Sequence, residues 1–164
     1  MSDVEQPHEE KETLVVDVEL PGHAPRGVPT ALFERTKKIL MERAGGRCFI
    51  CGGTAADVGP LEAHHYPVER SMATAWDWPK FIADCKSGLW GVYCQAFHWE
   101  GFDPVSDPYK FVDDMGVNGR ILCKAHHTGK NEGVHETTES IWIWQKYAPQ
   151  GYKMSAVEVI HDFT

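Results

Sequence analysis

The sequence contains no long hydrophobic run. No stretch approaches the roughly 18 apolar residues of a membrane-spanning helix. The first residues, MSDVEQPHEEKET, are acidic and lack the basic and apolar segments of a signal peptide. Both absences predict an intracellular, cytoplasmic protein without a membrane partner. Internal repeats and low-complexity tracts are also missing, and 164 residues suffice for one domain with a core but not for two.

Cysteines are few, since the chain has only five. An odd number, with two of them in the short motif CFIC, favours a reduced compartment and metal binding over a disulfide framework. A redox role for CFIC is disfavoured as well. Redox motifs of this kind normally follow a strand and open a helix, whereas here a predicted helix precedes the pair and glycines follow it.

Basic residues are outnumbered, with 16 Lys and Arg against 24 Asp and Glu, for a net charge of −8. The bias is concentrated in residues 1–20, where seven acids face one lysine, and the rest of the chain is close to neutral. Within that rest, Arg35, Lys38, Arg43 and Arg47 form a local basic stretch, which we predict to contact nucleic-acid phosphates. The alternative is a solvated helix face.

Some segments have hydrophobic residues at helical spacing and others alternate as strands do, and this mixture predicts an α+β fold. Residues 1–28 form an acidic tail and linker, partly disordered, with an edge strand in LVVDVEL. Residues 29–164 form a single domain, in which LEAHHYP and RIL are short strands and residues 67–116 an aromatic-rich insertion. We predict helices from Thr30 to about Ala44, from Asp77 to about Lys86, from Asp107 and Pro108 to Gly116, from Cys123 to about Asn131, and at the capping box of residues 155–158.

Two matched pairs of residues have the spacing of zinc ligands. Cys48 and Cys51 form a CxxC motif before a Gly-Gly turn, and Cys123 and His126 repeat the same two-residue gap. These are the ligand types and spacings of a closed tetrahedral zinc site. The alternative is four buried core side chains.

The insertion holds a weaker candidate metal set, Cys85, Cys94 and His98. Small apolar side chains are the simpler interpretation of these cysteines. The tryptophans of the insertion are predicted to belong to the core, with stacking on nucleic-acid bases as the alternative; they are Trp76, Trp78, Trp90 and Trp99.

Two histidine pairs accompany the cysteines, His64 with His65 in LEAHHYP and His126 with His127 in NGRILCKAHH. Neighbouring side chains on a strand point to opposite faces, so His64 and His65 are expected to differ in role. The two halves of the candidate zinc site lie on either side of the first histidine pair, and Asn118 precedes His127 by nine residues. This arrangement resembles the HNH endonuclease family, with its ββα-metal (His-Me finger) core. The matching segments are ERAGGRCFICGG, LEAHHYP and NGRILCKAHHTGKN, at roughly residues 30–65 and 117–131.

The resemblance implies a role for each matching residue. His65 corresponds to the general base, Asn118 to the residue that orients the base strand, and His64 and His127 to ligands of a catalytic Mg²⁺ or Mn²⁺, which Ni²⁺ or Co²⁺ can replace. Asn131 corresponds to a third ligand, or is a plain helix C-terminal Asn. His126 departs from the family's usual cysteine, which leaves open a swap in which His127 binds zinc.

The implied activity is hydrolysis of DNA by a one-metal mechanism, leaving 5′-phosphate and 3′-hydroxyl ends. The C-terminal half is also similar to small HNH proteins of phages, which favours DNA over RNA and a phage or prophage source. The alternative function is a non-catalytic zinc module that binds nucleic acid or a protein partner on the same scaffold.

Overall fold

The computed structural model describes residues 10–18, 28–130, 133–136, 145–148 and 154–163. Helices and two antiparallel two-stranded sheets are combined in these parts of the chain, which confirms the predicted α+β class. The strands are β1 (Glu10–Val18), β2 (Leu61–His65), β3 (Gly119–Cys123) and β4 (Met154–Phe163); the α-helices are α1 (Ala31–Arg43), α2 (Ala55–Val58), α3 (Trp78–Lys86), α4 (Gly91–Gln95), α5 (Tyr109–Val112) and α6 (Lys124–Thr128). Among the described residues, no helix combines the length and the apolar character that crossing a membrane requires.

Helix α1 begins and ends where its sequence predicts. The Thr30 hydroxyl accepts a hydrogen bond from the backbone N–H of Phe33 at 3.2 Å, as an N-cap residue does. Beyond the last turn, Gly45 and Gly46 have φ angles of 62° and 64°, a backbone that favours glycine. The chain thereby turns directly from α1 into the CFIC segment.

Strands β2 and β3 form the hairpin that carries most of the candidate residues. Their antiparallel register sets Leu61 opposite Cys123, His64 opposite Arg120 and His65 opposite Gly119. Helix α6 follows β3 without a connecting loop. It ends at Thr128, earlier than predicted, because Gly129 already has an extended backbone with ψ 140°.

The insertion folds around an aromatic core. Phe81 and Phe111 are fully buried and meet edge to face, with ring centroids 5.3 Å apart. Tyr147, from the C-terminal part of the chain, is also fully buried and stacks on Trp76 at 5.1 Å. These contacts tie the insertion to residues beyond α6, so it packs as part of the domain. Helix α3 has the predicted cap, the Asp77 carboxylate. Helix α5 is shorter than predicted at both ends, since it begins at Tyr109 and already ends at Val112, well before Gly116.

The two chain ends pair with each other. Strand β1 contains most of the predicted edge strand and runs antiparallel to β4, with a bulge between Val15 and Val16. The helix predicted at residues 155–158 is wrong, since these residues lie inside β4. The segment MSAVEVIHDF is rich in β-branched residues, and long-range pairing with β1 outweighs the short capping box. Residues 10–18 of the predicted tail therefore form a strand.

Gly119 is tightly enclosed where β3 begins. A Cβ atom at this position would lie 2.6 Å from Leu40 Cδ2 and 2.7 Å from the Met115 carbonyl oxygen. Gly119→Ala is therefore expected to lower the free energy of unfolding by about 1–3 kcal/mol, the usual cost of overpacking. Gly116→Ala is the control, because its Cβ would meet only the movable Asp114 carboxylate, at 3.1 Å, and Ile39. Urea unfolding measures both, and equal midpoints for the two variants would contradict the prediction.

Candidate metal centres

The predicted zinc ligands converge in the structure. The ligand atoms of Cys48, Cys51, Cys123 and His126 all lie within 4.8 Å of one another. His126 Nδ1 is 3.1 Å from Cys123 Sγ and 3.7 Å from Cys48 Sγ. The loop after α1 supplies the first pair, and the β3–α6 junction supplies the second. This Cys₃His cluster can bind a metal such as zinc, whose structural sites take four ligands of these types.

The local backbone explains how CFIC presents two thiols to one point. The Cys48 N–H donates to the Gly53 carbonyl at 3.0 Å, and the Gly52 N–H donates to the Cys48 carbonyl at 2.9 Å. Gly52 has a φ of 70°, so this turn needs glycine. Burial alone would raise the pKa of Cys48, but backbone hydrogen bonds from Cys51, Cys123 and Ile50 outweigh it and lower that pKa to about 6. The turn thus favours the thiolate, which is the form that binds metal.

A second cluster, which we call the histidine cluster, consists of His64, His127 and His135. Their ligand nitrogens lie within 4.8 Å of one another. His127 Nε2 and His135 Nε2 are 3.0 Å apart. Metal–nitrogen bonds of about 2.0–2.1 Å place two ligand nitrogens roughly 2.9–3.4 Å apart in octahedral or tetrahedral geometry, so this pair has the spacing of ligands to one ion. The Glu62 carboxylate lies 2.6 Å from His127 Nδ1 and fixes the orientation of that ring.

His135 and Glu62 were not predicted from the sequence. His135 reaches the cluster because the chain turns back toward α6 and forms a short 3₁₀ turn at Val134–Glu136. No local periodicity links it to His127, eight residues earlier. Glu62 had a usable signal, since residues two apart on a strand share a face, and Glu62 precedes His64 by two. Asn131, the predicted third ligand, lies outside the described residues.

His65 lies beside the histidine cluster but has separate partners. Its Nε2 is 3.2 Å from Asp113 Oδ1, and its ring stacks on Phe33 with centroids 5.3 Å apart. Asp113 is fully buried and also accepts a hydrogen bond from Arg70 Nε at 3.0 Å. Burial would raise the pKa of Asp113, but the hydrogen bonds from His65, Arg70 and Thr30 keep it below its ordinary value. Asp113 is therefore ionised, and its carboxylate accepts a hydrogen bond from the N–H at Nε2 of His65.

Asn118 is fully buried and acts on the backbone next to His65. Its side-chain oxygen accepts from the Val68 N–H at 2.9 Å, and its amide donates to the carbonyls of Val68 at 2.9 Å and Val112 at 2.8 Å. The Asn118 carbonyl also accepts from the Tyr66 N–H at 3.3 Å. Asn118 thus ties the chain that leaves β2 to the segments around α5 and β3, without a described contact to the His65 ring.

The histidine cluster and His65 share one cleft of about 210 Å³, which we call the histidine cleft; its other lining residues are Pro29, Phe33, Ala63, Glu69 and Arg70. The structure places His126 with the thiols and His127 in this cleft, not the reverse. Comparison of the chain with protein-family models, curated proteins and solved structures gives no match.

The four predicted nucleic-acid-binding residues divide into two with backbone partners and two that are exposed. Arg43 donates to the Gly116 carbonyl and Arg47 donates to the Gly52 carbonyl, so both have structural partners. Arg35 and Lys38 are exposed on α1.

The weaker metal set does not assemble among the described residues, because its two cysteines are buried in the aromatic core and its histidine is exposed.

The Cys₃His cluster predicts one structural zinc ion per chain. Cys123→Ala removes a ligand at the end of β3, and we expect it to lose the ion and to unfold at a lower temperature, since structural zinc contributes directly to folding. Cys85→Ala is the matched control, because Cys85 is equally buried but lies in the aromatic core. Elemental analysis of purified protein measures the zinc content, and a full zinc equivalent in Cys123→Ala would contradict this interpretation.

The histidine cluster predicts a separate, weaker divalent-ion site. His135→Ala is expected to lower the affinity for Mn²⁺ by about tenfold or more, since even partners outside a ligand set contribute about 10–100-fold. His98→Ala is the control, as His98 is exposed and outside the cluster. Titration calorimetry on zinc-loaded protein measures the affinity, and unchanged Mn²⁺ binding by His135→Ala would exclude it as a ligand.

Proposed function

We propose that the protein is a metal-dependent DNA endonuclease of the HNH type. The single observation that carries the proposal is the shared cleft, in which His65, held by the buried Asp113, lies beside three convergent histidines. The arrangement provides a candidate base and a candidate ion site for hydrolysis of a phosphodiester. The order of β2, β3 and α6 supports a ββα-metal core, with the Cys₃His cluster as its structural zinc site.

His65 is proposed as the general base. Because the ionised Asp113 accepts the N–H at Nε2, the neutral ring carries its lone pair on Nδ1. An imidazole titrates near neutrality and can take a proton from an attacking water. Asp113 keeps the ring in one tautomer, and Arg70 in turn orients Asp113 through the bond from Nε.

The histidine cluster is proposed to hold the catalytic ion. A divalent ion held by few protein ligands keeps positions open for the scissile phosphate and stabilises the leaving 3′ oxygen, which gives 5′-phosphate and 3′-hydroxyl products. Mg²⁺ or Mn²⁺ is the proposed cellular ion, while the imidazole ligands also suit Ni²⁺, Co²⁺ and Zn²⁺. Glu62 orients one of these ligands, His127, by binding its second nitrogen.

DNA is the proposed substrate. Helix α1 packs against β2 and β3, and Lys38 lines a groove together with Glu62 and Ala63 of β2. The exposed basic residues of α1 therefore lie near the hairpin that carries the cleft, where they can bind flanking phosphates. Each phosphate contact adds about 0.9 to the slope with which log affinity falls against log salt, so these few contacts alone predict weak binding with a shallow salt dependence.

A non-catalytic zinc module is the second candidate. It is favoured by the burial of His64, whose relative exposure is only 4%. In such a module the histidine cleft would be closed to substrate, and the Cys₃His cluster would serve only to stabilise a binding surface.

Plasmid nicking separates the two functions. Wild-type protein with Mg²⁺ or Mn²⁺ is expected to nick supercoiled plasmid, and His65→Ala to nick it at least about 100-fold more slowly, the lower range for loss of general-base catalysis. His98→Ala controls for the loss of an imidazole elsewhere. Absence of cleavage with every divalent ion tested, together with retained DNA binding, would favour the module instead.

A further inference from the structure

A second cavity of about 550 Å³, which we call the arginine cavity, opens between α1, the CFIC loop, α4 and β3. It shares no lining residue with the histidine cleft. We propose that the arginine cavity binds one nucleotide of a DNA strand, with its phosphate on Arg43, Arg47 and Arg120 and its base against Phe49 or Tyr93. The proposal rests on the proposed nuclease function, because it takes DNA as the ligand of both cavities.

Charge makes the arginine cavity unusual in this acidic protein. Three arginines line it, and no Asp or Glu is among the described residues that do so. Burial lowers the pKa of Arg43, and the nearby charge of Arg120 also lowers it. Like charges at short range repel, and an anion between them relieves that repulsion. A phosphate is therefore a better fit to this cavity than an apolar ligand.

Two of the three arginines are held against aromatic rings. The guanidinium carbon of Arg120 lies 4.6 Å from the Tyr66 ring centroid and 5.1 Å from that of Phe49, and Arg43 lies 4.0 Å from the Tyr93 centroid. Such contacts use the face of a guanidinium. Because the edge of Arg43 already donates to two backbone carbonyls, the edge of Arg120 is the one proposed to bind phosphate.

Arg120 has an unused donor. Its Nε is buried and has no acceptor among the described residues, while its NH1 group donates to the Gly119 carbonyl at 3.0 Å. Buried donors are normally paired, so Arg120 retains hydrogen-bonding capacity that the described residues do not satisfy. The oxygens of a phosphate provide such acceptors.

Exposed rings at the same cavity suit a base. Phe49 is 65% exposed and Tyr93 is 51% exposed, although both are large and mainly apolar. An exposed aromatic ring beside a phosphate-binding cation is the usual arrangement for single-stranded nucleic acid, because every base can stack on it. The combination of arginines with exposed rings therefore favours a nucleotide over an inorganic anion.

The two cavities are lined by paired residues of the same hairpin. Arg120 is directly opposite His64 in the register of β2 and β3. Residues paired in this way have Cα atoms about 4.5–5.5 Å apart. A strand whose scissile phosphate lies in the histidine cleft can thus place a nearby nucleotide in the arginine cavity.

Binding without cleavage tests the proposal. In a His65→Ala background, zinc-loaded protein is titrated into a fluorescent oligothymidylate and into an abasic oligonucleotide of equal length. Arg120→Gln is expected to weaken binding of both by about tenfold and to reduce the salt slope by about one. Phe49→Ala is expected to weaken binding of the oligothymidylate by at least about fivefold and to leave the abasic strand unaffected. Lys80→Gln, which removes a charge from an exposed position on α3, is the control.

The binding assay can fail or succeed independently of the nicking assay. If Arg120→Gln and Phe49→Ala bind both oligonucleotides as tightly as Lys80→Gln does, the proposal that the arginine cavity binds a nucleotide is overturned, even if wild-type protein cuts plasmid. Weakened binding in the predicted pattern supports it, even if wild-type protein does not. If Arg120→Gln fails to fold, the binding of Phe49→Ala alone tests the proposal, because Phe49 is exposed. The zinc content of Phe49→Ala shows whether the neighbouring ligand Cys48 is still in place.

Discussion

Convergence of three thiols and one imidazole is the constraint on which the rest of the structure depends. The ligands come from two segments on either side of the aromatic insertion, the loop after α1 and the β3–α6 junction. Joining them fixes where α1 lies against the hairpin and where α6 begins. The histidine cleft and the arginine cavity are both formed by elements that this junction holds, so a metal bound to the four ligands would stabilise both indirectly.

Adjacent residues serve different centres because of regular backbone geometry. Successive side chains of a helix are about 100° apart, so His126 can meet the thiols while His127 meets His64 and His135. Successive side chains of a strand point to opposite faces, so His64 joins the histidine cluster while His65 contacts Asp113 and Phe33. Two HH dipeptides thereby contribute to three separate sets of contacts, and no long loop is needed to separate them.

The parts that could be predicted from the sequence are those with local causes. The cap at Thr30, the glycines after α1 and the paired CxxC and CxxH spacings each involve residues within one or two turns, and the structure reproduces them. The parts that could not be predicted depend on distant segments. Asp113 is 48 residues from His65 in the chain, so only the fold of the insertion brings them together, and His135 returns to α6 through a turn that carries no periodic signal. The error at residues 155–158 has the same origin, since a local capping signal was outweighed by pairing with β1.

Net charge is a poor guide to the ligands of this chain. Seven of its acids lie within the first 20 residues, and their effect on other surfaces is screened beyond a Debye length of about 8 Å at physiological salt. A phosphate in the proposed site would lie beside Arg43, Arg47 and Arg120, with no acidic residue among the described lining, although Asp114 and Asp57 are near enough to interact with Arg43 and Arg47. Local fields in clefts, more than the total, determine which charged ligands are attracted. An acidic protein can therefore retain a nucleic-acid surface, provided that its basic side chains line the same cavity.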